Sequence, residues 1–370
     1  MSSVSTRAAA PDRALFEAAR GGDENAFARL VEPRHGELQA HCYRMLGSMH
    51  DAEDAMQEAL LRAWRGLDRL EDPVAMRAWL YRIATNTCLD AIGRRPKRVL
   101  PIDYAPRSDP DQAPGQPLVE TVWVEPYPDE TLQVEDGYAA PEASYEQREA
   151  VELAFIAALQ HLPARQRAAL ILREVLGFSA KEVAEALDAT VASVNSALQR
   201  ARQAVDERLP EQSQQETLRT LGDEGLRDVV EGYIDAMGRG DVEAVVSMLT
   251  EDAAWSMPPL ASWFGGIDEV EAFLRNGPMS GAWRWRHLPA HVNGQPAIGV
   301  YHLDAESGSY LPFALDVLTL EGSRIKQVTA FIVRSTDVEP EDFARWPEMP
   351  SDPEMVRRVF VACGLPARID

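Results

Sequence analysis

The sequence predicts two all-α domains followed by an α+β domain, and three observations carry that reading. Apolar residues return every three or four positions, with few prolines, over residues 12–98 and again over residues 146–210. Between them, residues 99–145 hold Pro101, Pro106, Pro110, Pro114, Pro117, Pro126, Pro128 and Pro141 amid many acids, which reads as a linker. From Leu221 the pattern is mixed, with two amphipathic helices and then short alternating strands. This gives a third domain over residues 218–338 and a proline-bearing tail over 339–370.

A chain of 370 residues that is 45% hydrophobic and 26% charged is expected to be globular and multidomain. No apolar run approaches the roughly 20 residues of a membrane span. The stretch MSSVSTRAAAPDRAL lacks the basic segment and apolar core of a secretory signal, so a cytoplasmic location with no membrane partner is expected. Cys42, Cys88 and Cys363 form neither CxxC pairs nor a Cys/His array, which predicts buried free thiols, no metal and no cofactor. A net charge of -22 argues against a nucleic-acid binder on average. The distribution reverses that, because arginine and lysine gather at Arg77–Arg98 and Arg165–Arg202.

In the first domain, HDAEDAMQEALLRAW sets Asp51, Asp54 and Glu58 at helical spacing, with Glu53 and Gln57 beside them. Such a ridge is either mere solvation or a dock for a basic protein partner. Downstream, RAWLYRIATNTCLDAIGRRPKR turns Leu80, Ala84, Thr87 and Ala91 inward and Trp79, Arg82 and Asn86 to the opposite face. An exposed aromatic beside a cation suits capture of unpaired bases, by stacking and by holding the strand's backbone. The alternative is that Trp79 covers an edge of the core.

In the linker, Trp123, Val124 and Tyr127 interrupt the acidic stretch and would be poorly placed in water, so they are expected to anchor on the third domain. The linker carboxylates Asp129, Glu130, Glu135 and Asp136 are placed to compete with phosphates for nearby arginines.

The second domain carries GFSAKEVAEALDATVASVNSALQRARQAV, which reads as helix, tight turn, helix. Ser179 and Glu182 make a capping box, while Asp188 and Thr190 supply turn and cap chemistry. In the following helix Val194, Leu198, Ala201 and Val205 form one apolar stripe, leaving Ala192, Asn195, Ser196 and Gln199 outward. Asn and Gln pair with adenine edges in the major groove, and Ser193, Arg200 and Arg202 on the flanks suit phosphates.

In the third domain Leu226, Val229, Val230, Tyr233, Ile234 and Met237 mark one helix, and Val242, Val245, Val246 and Leu249 the next. Strands follow as AIGVYHL, PFALDVLTL and RIKQVTAFIV, the last two joined by a hairpin at Glu321 to Ser323. Trp255, Trp263, Phe264, His287 and Asp316 are candidates to line a pocket. Asp316 shares a strand face with Leu318 and Leu320, an awkward place for a carboxylate without a use.

The run HCYRMLGSMHDAEDAMQEALLRAW followed by WLYRIATNTCLDAI resembles region two of the extracytoplasmic-function sigma factors, and the helix-turn-helix resembles their region four. The resemblance implies an RNA polymerase sigma factor whose partners are core polymerase and promoter DNA. It assigns core binding to Asp51, Asp54, Gln57 and Glu58. Opening of the downstream promoter element falls to Trp79, Arg82, Asn86, Arg94 and Arg95, with the loop from Leu70 to Ala75 cradling a flipped base. Reading of the upstream element falls to Ser193, Asn195, Ser196, Gln199, Arg200 and Arg202. Many relatives have a basic residue at the position of Asn195 and Arg at that of Ala197, so the promoter sequence is expected to differ.

The third domain resembles the SnoaL-like fold, a cone of curved antiparallel sheet wrapped by helices. WSMPP, NGQPA and VWVEPYPD resemble a sigma subgroup that carries this domain, although a DGGGK-type motif of related groups is missing. The reading is a regulatory domain with Trp123 and Tyr127 as its linker contacts, and with a small-molecule ligand or protein regulator at Trp255, Trp263, His287 and Asp316. The alternative is a DNA-binding controller fused to a ligand-processing isomerase or cyclase.

Overall fold

The computed structural model describes residues 13–112, 115, 117–118, 123–132, 149–335 and 349–370, so Glu135 and Asp136 lie outside the described residues. The chain divides into two compact units. The first comprises residues up to Leu46, His50–Arg95 and Leu162–Gln203, and the second Gly47–Met49, Pro96–His161 and Ala204–Asp370.

The first unit is helical. Helices α1 (Arg13–Arg20), α2 (Glu24–Val31), α3 (His35–Leu46), α4 (Met49–Gly66) and α5 (Met76–Ile92) pack around Phe16, Leu30, Leu38, Tyr43, Met45, Met56 and Leu80. Asp23 starts α2 by accepting the Ala26 amide at 3.1 Å, which satisfies an N–H that the helix itself leaves unpaired. Before α5 the chain makes a one-turn helix at Pro73–Ala75, capped by Asp72. The unit continues with α7 (Ala164–Leu170), drawn out as a π-turn at Ile171–Val175, then α8 (Ala180–Ala186) and α9 (Val191–Asp206). The short helix preceding these, α6 (Leu153–Gln160), clusters with the second unit.

The capping box forms as expected: the Ser179 amide donates to Glu182 Oε2 at 2.8 Å, and the Glu182 amide to Ser179 Oγ at 3.3 Å. Asp188 takes a left-handed conformation (φ 48) in the turn, and Thr190 Oγ1 caps α9 through the Ser193 amide at 3.1 Å. Arg77 of α5 lies over the Phe178 ring, 4.4 Å from its centroid, and donates to the Leu176 carbonyl at 3.0 Å.

The second unit is built on a six-stranded sheet with strand order β2-β1-β6-β5-β4-β3. Its strands are β1 (Leu249–Ser256), β2 (Trp263–Gly265), β3 (Trp285–Val292), β4 (Gln295–Leu303), β5 (Tyr310–Glu321) and β6 (Arg324–Ile332). The all-antiparallel expectation needs correction, because β1 runs parallel to β6. The chain returns to that edge only through the long β2–β5 excursion, which parallel pairing requires. The hairpin between β5 and β6 turns at Gly322, whose φ of 59 suits a residue with no Cβ.

Against the sheet pack α10 (Gln214–Arg239), α11 (Val242–Ser247) and α12 (Ile267–Asn276), burying Tyr233, Met237, Val245, Leu274, Leu318 and Val328. Helix α10 breaks direction at Gly222 (φ 73). The polar residues Gln214 to Thr220 form the first part of this helix. Gln214 donates to the Leu320 carbonyl at 2.8 Å and Gln215 to that of Gly294, both buried. Leu249, read with the second helix, instead opens β1.

Candidate functional site

Three surfaces and one pocket concern the residues singled out above. On α4, Asp54 and Gln57 are exposed and Glu58 is half-buried. Asp51 requires correction: it is 4% exposed, and its carboxylate meets the Arg95 guanidinium, so it is not part of an exposed ridge. Arg95 reaches Asp54 as well, at 3.9 Å. Glu58 holds Arg62 at 2.7 Å, and Arg62 also bonds Asp90 of α5 at 3.0 Å, which ties the two helices together.

On α5 the predicted inward residues Leu80, Ala84 and Thr87 are buried, and Ala91 is half-buried. Arg82 and Asn86 are exposed, as is Arg94 just beyond the helix. Trp79 is half-buried, with its ring close enough to Gly66 that an added Cβ there would sit 3.6 Å away, so it covers the end of α4 while keeping an open edge. Between the helices, Leu70 is buried and Val74 is 70% exposed, which makes Val74 the apolar tip of the loop.

On α9 the predicted stripe is buried, and Ser193, Asn195, Ser196, Gln199, Arg200 and Arg202 are all exposed. Their engagement differs. The Ser193 hydroxyl bonds the Thr190 carbonyl at 2.8 Å, and that of Ser196 bonds the Ala192 carbonyl at 3.1 Å, so both point back along the helix. Arg202 pairs with Glu174 at 2.6 Å.

In the second unit Tyr127 anchors on the third domain as expected, whereas the expectation for Trp123 and Val124 needs correction, because their partners are Arg98, Val99 and Tyr104 at the start of the linker. Tyr127 is fully buried; its amide donates to Asn293 Oδ1 at 2.9 Å and the Asn293 amide donates to the Tyr127 carbonyl at 2.9 Å. Trp123 is buried edge-on to Tyr104, and Arg98 donates to its carbonyl at 2.7 Å. Trp263, expected in the pocket, holds the linker instead: its indole N–H donates to the Ala105 carbonyl at 2.7 Å, and Arg107 stacks over its ring. Phe264 likewise lies outside the pocket, stacked on Phe273.

The pocket encloses about 400 Å³ and is lined by Trp255, His287 and Asp316 together with Phe273, Trp283, Trp285 and Phe313. Asp316 is 3% exposed, and its Oδ2 accepts the Tyr233 hydroxyl at 2.9 Å. Burial pushes the Asp316 carboxyl up to about 7, although that hydrogen bond opposes the shift, and it drives the Tyr233 hydroxyl well above its ordinary value. Burial also lowers His287 to about 4, so its imidazole is neutral near pH 7. Sequence reasoning missed Tyr233 as Asp316's partner. The available signal was a phenol on an otherwise apolar helix stripe.

Comparison with known proteins follows this layout. The Sigma-70 region 2 family matches residues 30–98, the Sigma-70 region 4 family residues 152–205, and the SnoaL-like domain residues 230–333. The chain is 40% identical over 317 residues to the ECF RNA polymerase sigma factor SigG of Mycobacterium tuberculosis, covering 85% of this chain and 82% of that one. It is 32% identical over 205 residues to the ECF RNA polymerase sigma-E factor of Escherichia coli, covering 54% of this chain and 94% of that one. The crystal structure of the Mycobacterium tuberculosis extracytoplasmic function sigma factor SigJ shares the fold, with a TM-score of 0.52 at 23% identity over 86% of this chain and 98% of that one.

Proposed function

Because the chain belongs to the extracytoplasmic-function RNA polymerase sigma factors and carries a SnoaL-like domain, we propose that this domain regulates promoter recognition through the linker docked on it. As a sigma factor the protein directs promoter recognition and transcription initiation. It acts with core polymerase on promoter DNA in the cytoplasm.

The residue roles follow the exposed chemistry. Asp54, Gln57 and Glu58 dock core polymerase, while Asp51 supports that ridge from beneath by holding Arg95. Trp79, Arg82, Asn86 and Arg94 take the melted downstream strand. On α9, Asn195 and Gln199 read bases, and Arg200, with Arg202 once released from Glu174, holds phosphates.

The observation that carries the regulatory reading is the reciprocal pair of bonds between Tyr127 and Asn293. A segment joining two DNA-reading regions is fixed there to a domain with a pocket of its own. Tyr233, rather than His287, engages the Asp316 carboxyl, so His287 and Asp316 do not form a His–Asp dyad, and the reading taken is binding.

The test is run-off transcription with core polymerase and the Tyr127→Ala and Trp123→Ala variants. Each is expected to change promoter output by about 5-fold or more, the scale of an ordinary coupling energy, with core affinity retained. Wild-type output and wild-type promoter-spacing preference from both variants would overturn the regulatory reading.

A further inference from the structure

Helix α9 opens on a side chain outside the set assigned to polymerase or promoter contacts. Val191, its first residue, is 44% exposed, and Ala192 beside it is exposed as well. A β-branched side chain half in water is an unfavoured choice at a helix end, because it loses rotamer freedom without the burial that would offset the loss. Val191 stands one turn before Asn195 and two before Gln199, both exposed, so the three run along one side of the helix. Its apolar surface therefore continues the face that reads bases. It lies at the amino-terminal end of the recognition helix, the part that meets base edges in helix-turn-helix proteins.

The first turn of α9 offers a base edge little besides methyl groups. Thr190 Oγ1 accepts the Ser193 amide at 3.1 Å, the Ser193 hydroxyl donates to the Thr190 carbonyl at 2.8 Å, and the Ser196 hydroxyl donates to the Ala192 carbonyl at 3.1 Å. The hydroxyls around Val191 and Ala192 are thus committed to the backbone. No lysine or arginine occurs from Asp188 to Gln199, so this turn has no cation for guanine O6 and N7. A polar base edge pressed against Val191 would lose water without gaining a partner. Thymine alone of the four bases adds a methyl group to the major groove, and an apolar side chain is its counterpart.

We infer that Val191, with Ala192 beside it, is a specificity-determining residue that takes the C5-methyl group of a thymine in the upstream promoter element. Four residues of helix rise about 6 Å and base pairs follow about every 3.4 Å, so this thymine lies within about two base pairs of the position that Asn195 reads. The contact is made to a methyl group and not to a hydrogen-bonding edge. It therefore responds to the methyl group whichever pyrimidine carries it. The inference rests on the reading that α9 lies on the upstream element, and the experiment separates the two.

The experiment uses the holoenzyme, the full chain with core polymerase, and a promoter duplex that it selects from a pool randomised over the upstream element. At each thymine of that element in turn, thymine, uracil, cytosine and 5-methylcytosine are compared by competition binding, each opposite its complement. At one position, removal of the methyl group is expected to lower affinity about three- to fivefold, from thymine to uracil and from 5-methylcytosine to cytosine alike, the scale of one methyl group returned to water. Val191→Ala and Val191→Ser are each expected to bring that ratio below about 1.5-fold. A selected element without thymine, no methyl-sensitive position in the wild type, or a methyl effect unchanged in both variants overturns the inference, and the first two of these need no variant to fold. Asn195→Ala is the control. If it relaxes preference at its own position while the methyl contact fails, the α9 reading stands and the inference alone falls. Unchanged preference in the Asn195 and Val191 variants alike overturns both.

Discussion

The Asp316 carboxyl faces aromatic and aliphatic neighbours, and its folded pKa of about 7 lies above the 3.8 of an unperturbed aspartate. The folded state therefore takes up a proton that the unfolded chain releases. The carboxyl costs nothing below the unfolded value, and its penalty grows as pH rises towards the folded one. Asp316→Asn cannot ionise, yet keeps an acceptor for Tyr233. The variant is expected to be more stable than the parent at pH 8 by roughly 1–3 kcal/mol, to keep part of that advantage at pH 5 and to lose it only below about pH 4, as read from thermal denaturation across that range. Single residues differ in how far the sequence reveals them. Asp316 stood out because its strand neighbours are apolar, whereas Asp51 and Asp54 look alike at helical spacing and only packing separates them. The three-residue step turns Asp51 under α4 towards Arg95, and no local pattern encodes that partner 44 positions away, counted as 95 less 51.

At the scale of the element, α9 divides its labour along one face. Arg200 is exposed at the flank, and its truncation to alanine is expected to weaken binding about equally across promoter variants and to lower the salt slope by about 1. Asn195→Ala is expected instead to relax preference at one upstream position by about 1–3 kcal/mol, measured as relative affinity over a set of single-base promoter changes. The reverse division would show that the helix lies on DNA by another face. This element was legible because its stripe, its turn and its cap are all local. The strands β1 to β3 were not, since Trp285–Val292 alternates with charged residues and Trp263–Gly265 spans only three positions. The parallel register of β1 on β6 depends on residues 70 or more positions apart.

For the whole molecule, the buried Glu152 carboxylate accepts the Gln214 amide at 3.1 Å and the Gln215 amide at 2.8 Å, joining the start of α6 to the start of α10. Burial raises its pKa to about 7 against the opposing pull of those two bonds. Glu152→Ala leaves both amides without an acceptor and is expected to cost about 2–4 kcal/mol, seen as faster hydrogen exchange at residues 151–156 and 214–218 together. Loss of protection at only one of the two segments would show that the carboxylate does not join them. Domain order was readable from composition alone, while this junction was not, because it pairs the first residues of a family region with glutamines that look like solvated linker. Residues 152–160 match the Sigma-70 region 4 family by sequence but cluster with the carboxy-terminal unit by packing. The seam of ancestry and the seam of assembly are thus offset by about one short helix. A carboxy-terminal domain exchanged as a cassette cut at residue 210 would arrive without Glu152, Leu153 and their neighbours, so a swap that keeps this junction has to carry α6 with the domain.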